Sequence, residues 1–313
     1  MASYRIPIHG LQEERNPSTS VKRTLNSPKN CDLYPRMESE VSIFTTNGMQ
    51  LEYRIVGSGT ETILAFHGFG QSIDDFNPFY GLIKPHQRLV SIRLFQHGNS
   101  QFPEQRIPHQ PLQKLEFALV IQEFINFLQV SEFYLLGYSL GGKVCLNLLE
   151  SIPRNIKGVL LLAPDGFKNN RIYSFTSKTA VGRSIYRYIL NNPNPLFNLS
   201  KVLNSTGIIN DGLHRFVMHH MRDYDQRKLV YDTWLIYRDF EINQRALQEI
   251  LAQSSIPFNA LFGKFDRIIR PEIALDFFED DLAKSMHILN SGHLILNPST
   301  KKFIQENGLW LGE

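Results

Sequence analysis

Phe133-Tyr134-Leu135-Leu136-Gly137-Tyr138-Ser139-Leu140-Gly141-Gly142 runs from an apolar, strand-like stretch into the helix-like Lys143-Val144-Cys145-Leu146-Asn147-Leu148-Leu149. A serine flanked by glycines at such a junction meets the demands of a nucleophile elbow. The turn is so tight that side chains two residues to either side would strike backbone, and the serine is held out above a sheet edge. The five-residue pattern alone is weak, because roughly 0.1 copies per chain are expected by chance. Its surroundings decide the reading.

Upstream, Val41-Ser42-Ile43-Phe44-Thr45 and Leu51-Glu52-Tyr53-Arg54-Ile55-Val56 alternate around Asn47-Gly48, the pattern of a β-hairpin. Short apolar runs bounded by turn residues then recur at 62–66, 89–94, 133–136, 158–163, 258–262 and 285–289, with helical periodicity between them. Near-continuous apolar strands alternating with helices predict an α/β fold with a mostly parallel sheet covered on both faces. The interval between Ala163 and Phe258 breaks this rhythm. It shows helical patterning at 183–190, 213–221 and 228–237, punctuated by Pro193, Pro195 and Gly207. Residues 165–243 are expected to form a helical cap inserted into a core of 39–164 and 244–313. Extra helices packed elsewhere on the core are the alternative.

Residues 1–38 are polar and without period, which is the composition of a disordered extension. Met37 stands just before regular patterning begins, so one expectation is that it is the natural start. The chain has 313 residues, 42% hydrophobic and 20% charged, enough for one large domain with an ample core. A net charge of +3 and the lack of a dense basic block argue against nucleic acid as partner. No stretch reaches the ~20 apolar residues of a membrane span, and the N-terminus lacks a secretory core. Cys31 and Cys145 make no disulfide framework, so a reducing compartment, the cytoplasm, is expected.

A serine that transfers acyl groups needs a histidine to take its proton, an acid to orient that histidine, and N–H donors for the oxyanion. Asp266, in Gly263-Lys264-Phe265-Asp266, follows an expected strand and would emerge at the same sheet edge as the serine. Asp165, in Ala163-Pro164-Asp165-Gly166, is the rival acid, although a Pro-Asp-Gly turn also accounts for it. His293, in Ser291-Gly292-His293, follows the last expected strand and is the candidate base. His67-Gly68-Phe69-Gly70 follows the strand at 62–66 and would aim the Phe69 amide, with that of Leu140, at the oxyanion. His67 itself is expected to pack beneath the loop. His219-His220 lacks partners at ligand spacing, so no metal is expected.

These four segments, in this order, resemble an α/β-hydrolase-fold protein with a helical cap, from about Val41 to the C-terminus. The resemblance implies Ser139 as nucleophile, His293 as base, Asp266 as acid, and the amides of Phe69 and Leu140 as oxyanion donors. One segment departs from the family pattern. Where the family often has Asp-x-x-Gly-x-Gly-x-Ser, this chain has Arg93-Leu94-Phe95-Gln96-His97-Gly98-Asn99-Ser100, which puts that loop's geometry in doubt. A serine nucleophile excludes, by resemblance, the branches that form alkyl-enzymes on a carboxylate. The expected activity is hydrolysis of a carboxylic ester or thioester through an acyl-enzyme on Ser139, without a cofactor. Carbon–carbon bond hydrolysis by the same triad, or non-catalytic binding on the same fold, are the alternatives. The expected partner is a small acyl compound, partly apolar if the cap aromatics (Tyr173, Phe175, Tyr186, Tyr188, Phe197, Phe216, Trp234, Tyr237) line its site. Those rings read equally well as cap core. The oligomeric state stays open.

Overall fold

The computed structural model describes residues 40–168, 171–209, 211–278 and 280–312; the segment 1–38, with Cys31 and Met37, lies outside them. An eight-stranded sheet carries the fold, in the order β1-β2-β4-β3-β5-β6-β7-β8. Its strands are β1 (Val41–Thr46), β2 (Met49–Val56), β3 (Glu61–Phe66), β4 (Gln87–Ile92), β5 (Phe133–Tyr138), β6 (Ile156–Leu162), β7 (Phe258–Gly263) and β8 (Met286–Leu289). β1 and β2 pair antiparallel, as do β2 and β4, and every later pairing is parallel. Asn47 and Gly48 take φ of 48° and 73°, the left-handed pair that a two-residue hairpin turn requires.

The apolar runs are continuous because both faces of each central strand are covered. Leu64 and Phe66 join a cluster with α1 (Lys114–Phe127), α2 (Leu140–Ser151) and α8 (Gln244–Gln253). Ile63 and Ala65, one register step away, pack with Phe76, Phe79, Trp310 and Ile304 of α9 (Pro298–Glu306) on the other face. The chain's end is tied to this second face. Trp310 Nε1 donates to Gln87 Oε1 at 2.9 Å, and Gln87 Nε2 donates to the Leu311 carbonyl at 2.7 Å.

Between β6 and α8 run α3 (Arg171–Lys178), α4 (Ala180–Asn191), α5 (Asn194–Ser205), α6 (Asp211–His220) and α7 (Tyr224–Ile236). α4, α6 and α7 overlie the three expected helices, whereas α3 and α5 were not read from the sequence. Pro195, taken as punctuation, sits in the first turn of α5, where the missing N–H leaves no hydrogen bond unmade. Tyr186 is buried edge-on against both Tyr231 and Trp234, and Tyr173 packs edge-on against Trp234. Tyr237 is buried as well, with its hydroxyl accepting from the Phe95 amide at 3.1 Å. Most of the aromatic stripe is therefore packing among helices, while Phe175 and Tyr188 face solvent. The Phe216 side chain lies outside those described.

Candidate active site

Ser139 stands between β5 and α2 with φ 51° and ψ −115°, a conformation that L residues rarely adopt. The strain is held by its surroundings. Its amide donates to Leu162 of β6 at 2.9 Å, and its carbonyl accepts from Gly142 and Asp165 at 2.9 and 3.0 Å. The glycines stand where space demands them. A Cβ on Gly137 would lie 2.7 Å from the Gly141 carbonyl oxygen, and one on Gly141 would overlap the Phe66 carbonyl. α2 thus begins hard against the end of β3, the strand that leads into His67-Gly68-Phe69-Gly70.

His293 Nε2 lies 3.1 Å from Ser139 Oγ, and its Nδ1 lies 2.7 Å from Asp266 Oδ2. The three groups come from sites 127 and 27 residues apart in sequence, and each sits just past the carboxyl end of its strand. Asp266 is buried, and its second oxygen accepts from the amides of Ile268 and Ile269 at 2.7 and 2.9 Å. These bonds fix the carboxylate so that its free edge meets the imidazole. Asp165, the rival acid, instead accepts from the Gly166 amide at 2.8 Å and lies near Lys143. Of the two, it is Asp266 that the fold brings to the histidine.

Tyr138, beside the serine, was not singled out from sequence. Its hydroxyl donates to the His293 carbonyl at 3.0 Å and its ring lies 5.3 Å from the imidazole. Burial, with Asp266 adding to it, pushes the phenol well above its ordinary range, so it remains a donor.

The loop His67 to Gly70 is supported from beneath. His67 is fully buried, with Nδ1 at 2.7 Å from the Gly68 carbonyl and Nε2 accepting from the Leu94 amide at 3.0 Å. His97 Nε2 accepts from the Gly70 amide at 3.0 Å. Both histidines must therefore be neutral at those nitrogens. Burial lowers His67 well below its ordinary value and brings His97 to about 4. Leu140 is the first residue of α2, where helix geometry provides its amide with no intrahelical acceptor.

The departing segment 93–100 closes around a partner that lies 41 residues away. Arg93 Nε donates to Glu52 Oε1 at 2.7 Å, and the Asn99 amide donates to Glu52 Oε2 at 2.6 Å. Ser100 Oγ donates to the Arg93 carbonyl at 2.7 Å and accepts from the Glu52 amide at 2.8 Å. β4 ends at Ile92, two residues before the apolar run does, because Arg93 turns into this cluster. The loop is held by an ion pair to β2 that local reading could not find.

Lys143, one turn into α2, is nearly enclosed, with its ammonium 4.7 Å from the Tyr173 ring centroid. Burial lowers its pKa, opposed by the carboxylates of Asp165 and Glu241. Asp165 precedes α3 and Glu241 follows α7, so carboxylates from both ends of that segment act on this lysine. Cys145 is buried, and burial raises its thiol well above the usual value.

A cavity of about 740 Å³ opens at His293, lined by Met218, Phe265 and Ile268 and by the polar Arg215, His219 and Arg267. It lies between α6 and the turn after β7. Arg267 lies 3.8 Å from Asp211 at its edge. Among the described residues, no helix is long and apolar enough to cross a membrane.

An open, mostly parallel sheet with a serine on a strained strand-to-helix turn defines a known class. The chain belongs to the α/β-hydrolase fold family, a family of hydrolase enzymes, whose model matches residues 61–297. Among its relatives is the uncharacterized hydrolase YugF of Bacillus subtilis, 22% identical over 82% of this chain and 92% of that protein. The dihydrolipoyllysine-residue acetyltransferase component of an acetoin cleaving system, from Cupriavidus necator, is 27% identical over 39% of this chain. That match spans only 31% of the length of the acetyltransferase component. In structure, the chain resembles a thermophilic esterase from Thermogutta terrifontis, with a TM-score of 0.61 at 16% identity, over 87% of this chain and 98% of the esterase.

Proposed function

We propose that the protein hydrolyses a carboxylic ester or thioester of a small, partly apolar acyl compound through an acyl-enzyme on Ser139. The observation that carries this reading is the unbroken relay from Ser139 Oγ through His293 to Asp266, at 3.1 and 2.7 Å. Ser139 Oγ attacks the carbonyl carbon as His293 Nε2 takes its proton, and Asp266 holds the other ring nitrogen and stabilises the imidazolium. The amides of Phe69 and Leu140 receive the developing oxyanion. Collapse of this intermediate expels the alcohol or thiol, which leaves with the proton from His293. Water then loses a proton to His293 and attacks the acyl carbon, and Ser139 departs with that proton restored.

Residues 165–243 act as a cap that shapes the acyl site, since α6 of that segment lines the cavity at His293. The cavity's size is that of an ordinary small-molecule site, and Met218, Phe265 and Ile268 favour an apolar group within it. The likeness in fold to an esterase supports the ester reading. The buried, protonated Cys145 suits a reducing compartment, which supports the cytoplasm as location.

The test is labelling by a fluorophosphonate probe followed by turnover of p-nitrophenyl esters of graded chain length beside thioesters, amides and diketones. Wild-type protein is expected to label and Ser139→Ala not to. An unlabelled wild-type protein, or turnover confined to the diketones, would overturn the proposal.

A further inference from the structure

The helices α3, α4 and α5 carry more large hydrophobic residues exposed than buried. Eight of the 19 large hydrophobic residues exposed among the described residues fall within 171–208, about an eighth of the chain. On α4 the buried positions are Gly182, Tyr186 and Leu190. Val181, Ile185 and Tyr188 recur at i, i+4 and i+7 beside them, and all three are exposed. At about 100° per residue, the apolar arc of α4 is therefore roughly twice as wide as the face it covers. α3 repeats this with exposed Ile172 and Phe175 beside buried Ser177, and α5 with exposed Leu199 and Val202 beside buried Ser200. Scattered surface hydrophobics are ordinary, but three consecutive helices with uncovered stripes are not.

The charge of the same stretch is one-sided. Residues 171–208 hold five cations, Arg171, Lys178, Arg183, Arg187 and Lys201, and no Asp or Glu. Subtracting their +5 from the chain's +3 leaves −2 for everything else. Lys178 pairs with Glu241, and Arg183 donates to the Ser177 and Lys178 carbonyls at 3.2 and 2.8 Å. Arg171, Arg187 and Lys201 point to solvent.

From these two observations we infer that the exposed faces of α3–α5 dock on a lipid bilayer rich in anionic headgroups. The occupant must be both apolar and negatively charged. A second copy of the same face would set five cations against five. The chain's own residues 1–39 hold six Lys/Arg against four Asp/Glu, again of the same sign. A bilayer meets both demands: the stripes enter the acyl boundary while Arg and Lys lie among the phosphates, their stems extended along the interface. Docking of this kind is peripheral and reversible.

Flotation of the full chain with lipid vesicles tests this. Binding is expected to phosphatidylglycerol–phosphatidylcholine vesicles, to weaken steeply with salt, and to be absent from pure phosphatidylcholine. Two paired variants, Val181→Asp with Ile185→Asp and Arg187→Glu with Lys201→Glu, are each expected to lose flotation by about tenfold or more. None of the four residues lines the cavity at His293, so both pairs should keep wild-type melting and unchanged turnover of a soluble short-chain ester. The inference is overturned by no flotation at all, by equal flotation with neutral vesicles, or by variants that float like wild type. A concentration-dependent dimer dissolved by Ile185→Asp would also overturn it in favour of self-association.

Discussion

Replacing Gly141 by alanine should damage both stability and turnover, and the reason lies in the backbone. A Cβ at this position overlaps the Phe66 carbonyl and stands 2.7 Å from the His67 carbonyl oxygen. An ordinary carbon–oxygen contact is about 3.3 Å or longer, so relief at His67 alone needs roughly 0.6 Å of movement, and relief at Phe66 needs more. Neither obstacle is a flexible side chain that could swing aside. The start of α2 and the end of β3 must separate, which is overpacking at the upper end of its usual cost, about 2–3 kcal/mol. In a domain of this size that lowers the melting temperature by roughly 3–6 °C. The same movement separates the Leu140 amide from the loop that carries Phe69. A misplacement approaching 1 Å between groups that must converge on one atom costs on the order of 10²-fold in rate. Thermal melting together with kcat/KM on a short p-nitrophenyl ester measures both effects. A variant with wild-type melting and rate would refute the argument that this contact sets the geometry of the elbow.

Three further outcomes are expected. Glu52→Ala removes the buried partner of Arg93 and the acceptor of the Asn99 amide, so chemical denaturation should show a loss of about 3–5 kcal/mol. Asp266→Asn should lower kcat roughly 10⁴-fold while leaving the fold intact, whereas Asp165→Asn should retain turnover; the reverse result would reassign the acid. Stability should also fall as pH drops from about 6.5 to about 4, because the unfolded chain takes up a proton there that folded His97 refuses. The gap between those values corresponds to roughly 3 kcal/mol, and buried His67 acts in the same direction. A His97→Gln variant, which keeps an acceptor for the Gly70 amide, should show a flatter melting profile across that range.

Sequence periodicity revealed the strands because their burial on both faces leaves continuous apolar runs, as in Ile63 to Phe66. Ser139, His293 and Asp266, which the fold brings together, stood out for a related reason: each follows one of those runs closely. What stayed hidden depends on distant partners. Arg93 looked like a defect until Glu52, on another strand, was seen to hold it. Pro195 looked like a break because proline stops a helix in its interior yet fits its first turn, which is where Pro195 stands in α5. The aromatics of the inserted helices were visible in the sequence, but their presence does not say whether a ring faces a neighbour or a ligand. His97 offered no local signal, since its task is to accept one amide 27 residues away.

The separation of Ser139 from His293 by 154 positions also has a meaning in time. A chain is made from its N-terminus at about 5–20 residues per second, so the serine leaves the synthetic machinery roughly 8–30 s before the histidine. Throughout that interval Ser139 lacks the histidine proposed as its base, and the sheet edge at β6 waits for β7. On the proposed mechanism, a nascent chain, or one cut short anywhere before residue 293, is therefore expected to be chemically silent. On that mechanism, activity waits until residue 293 has followed the last strand into place.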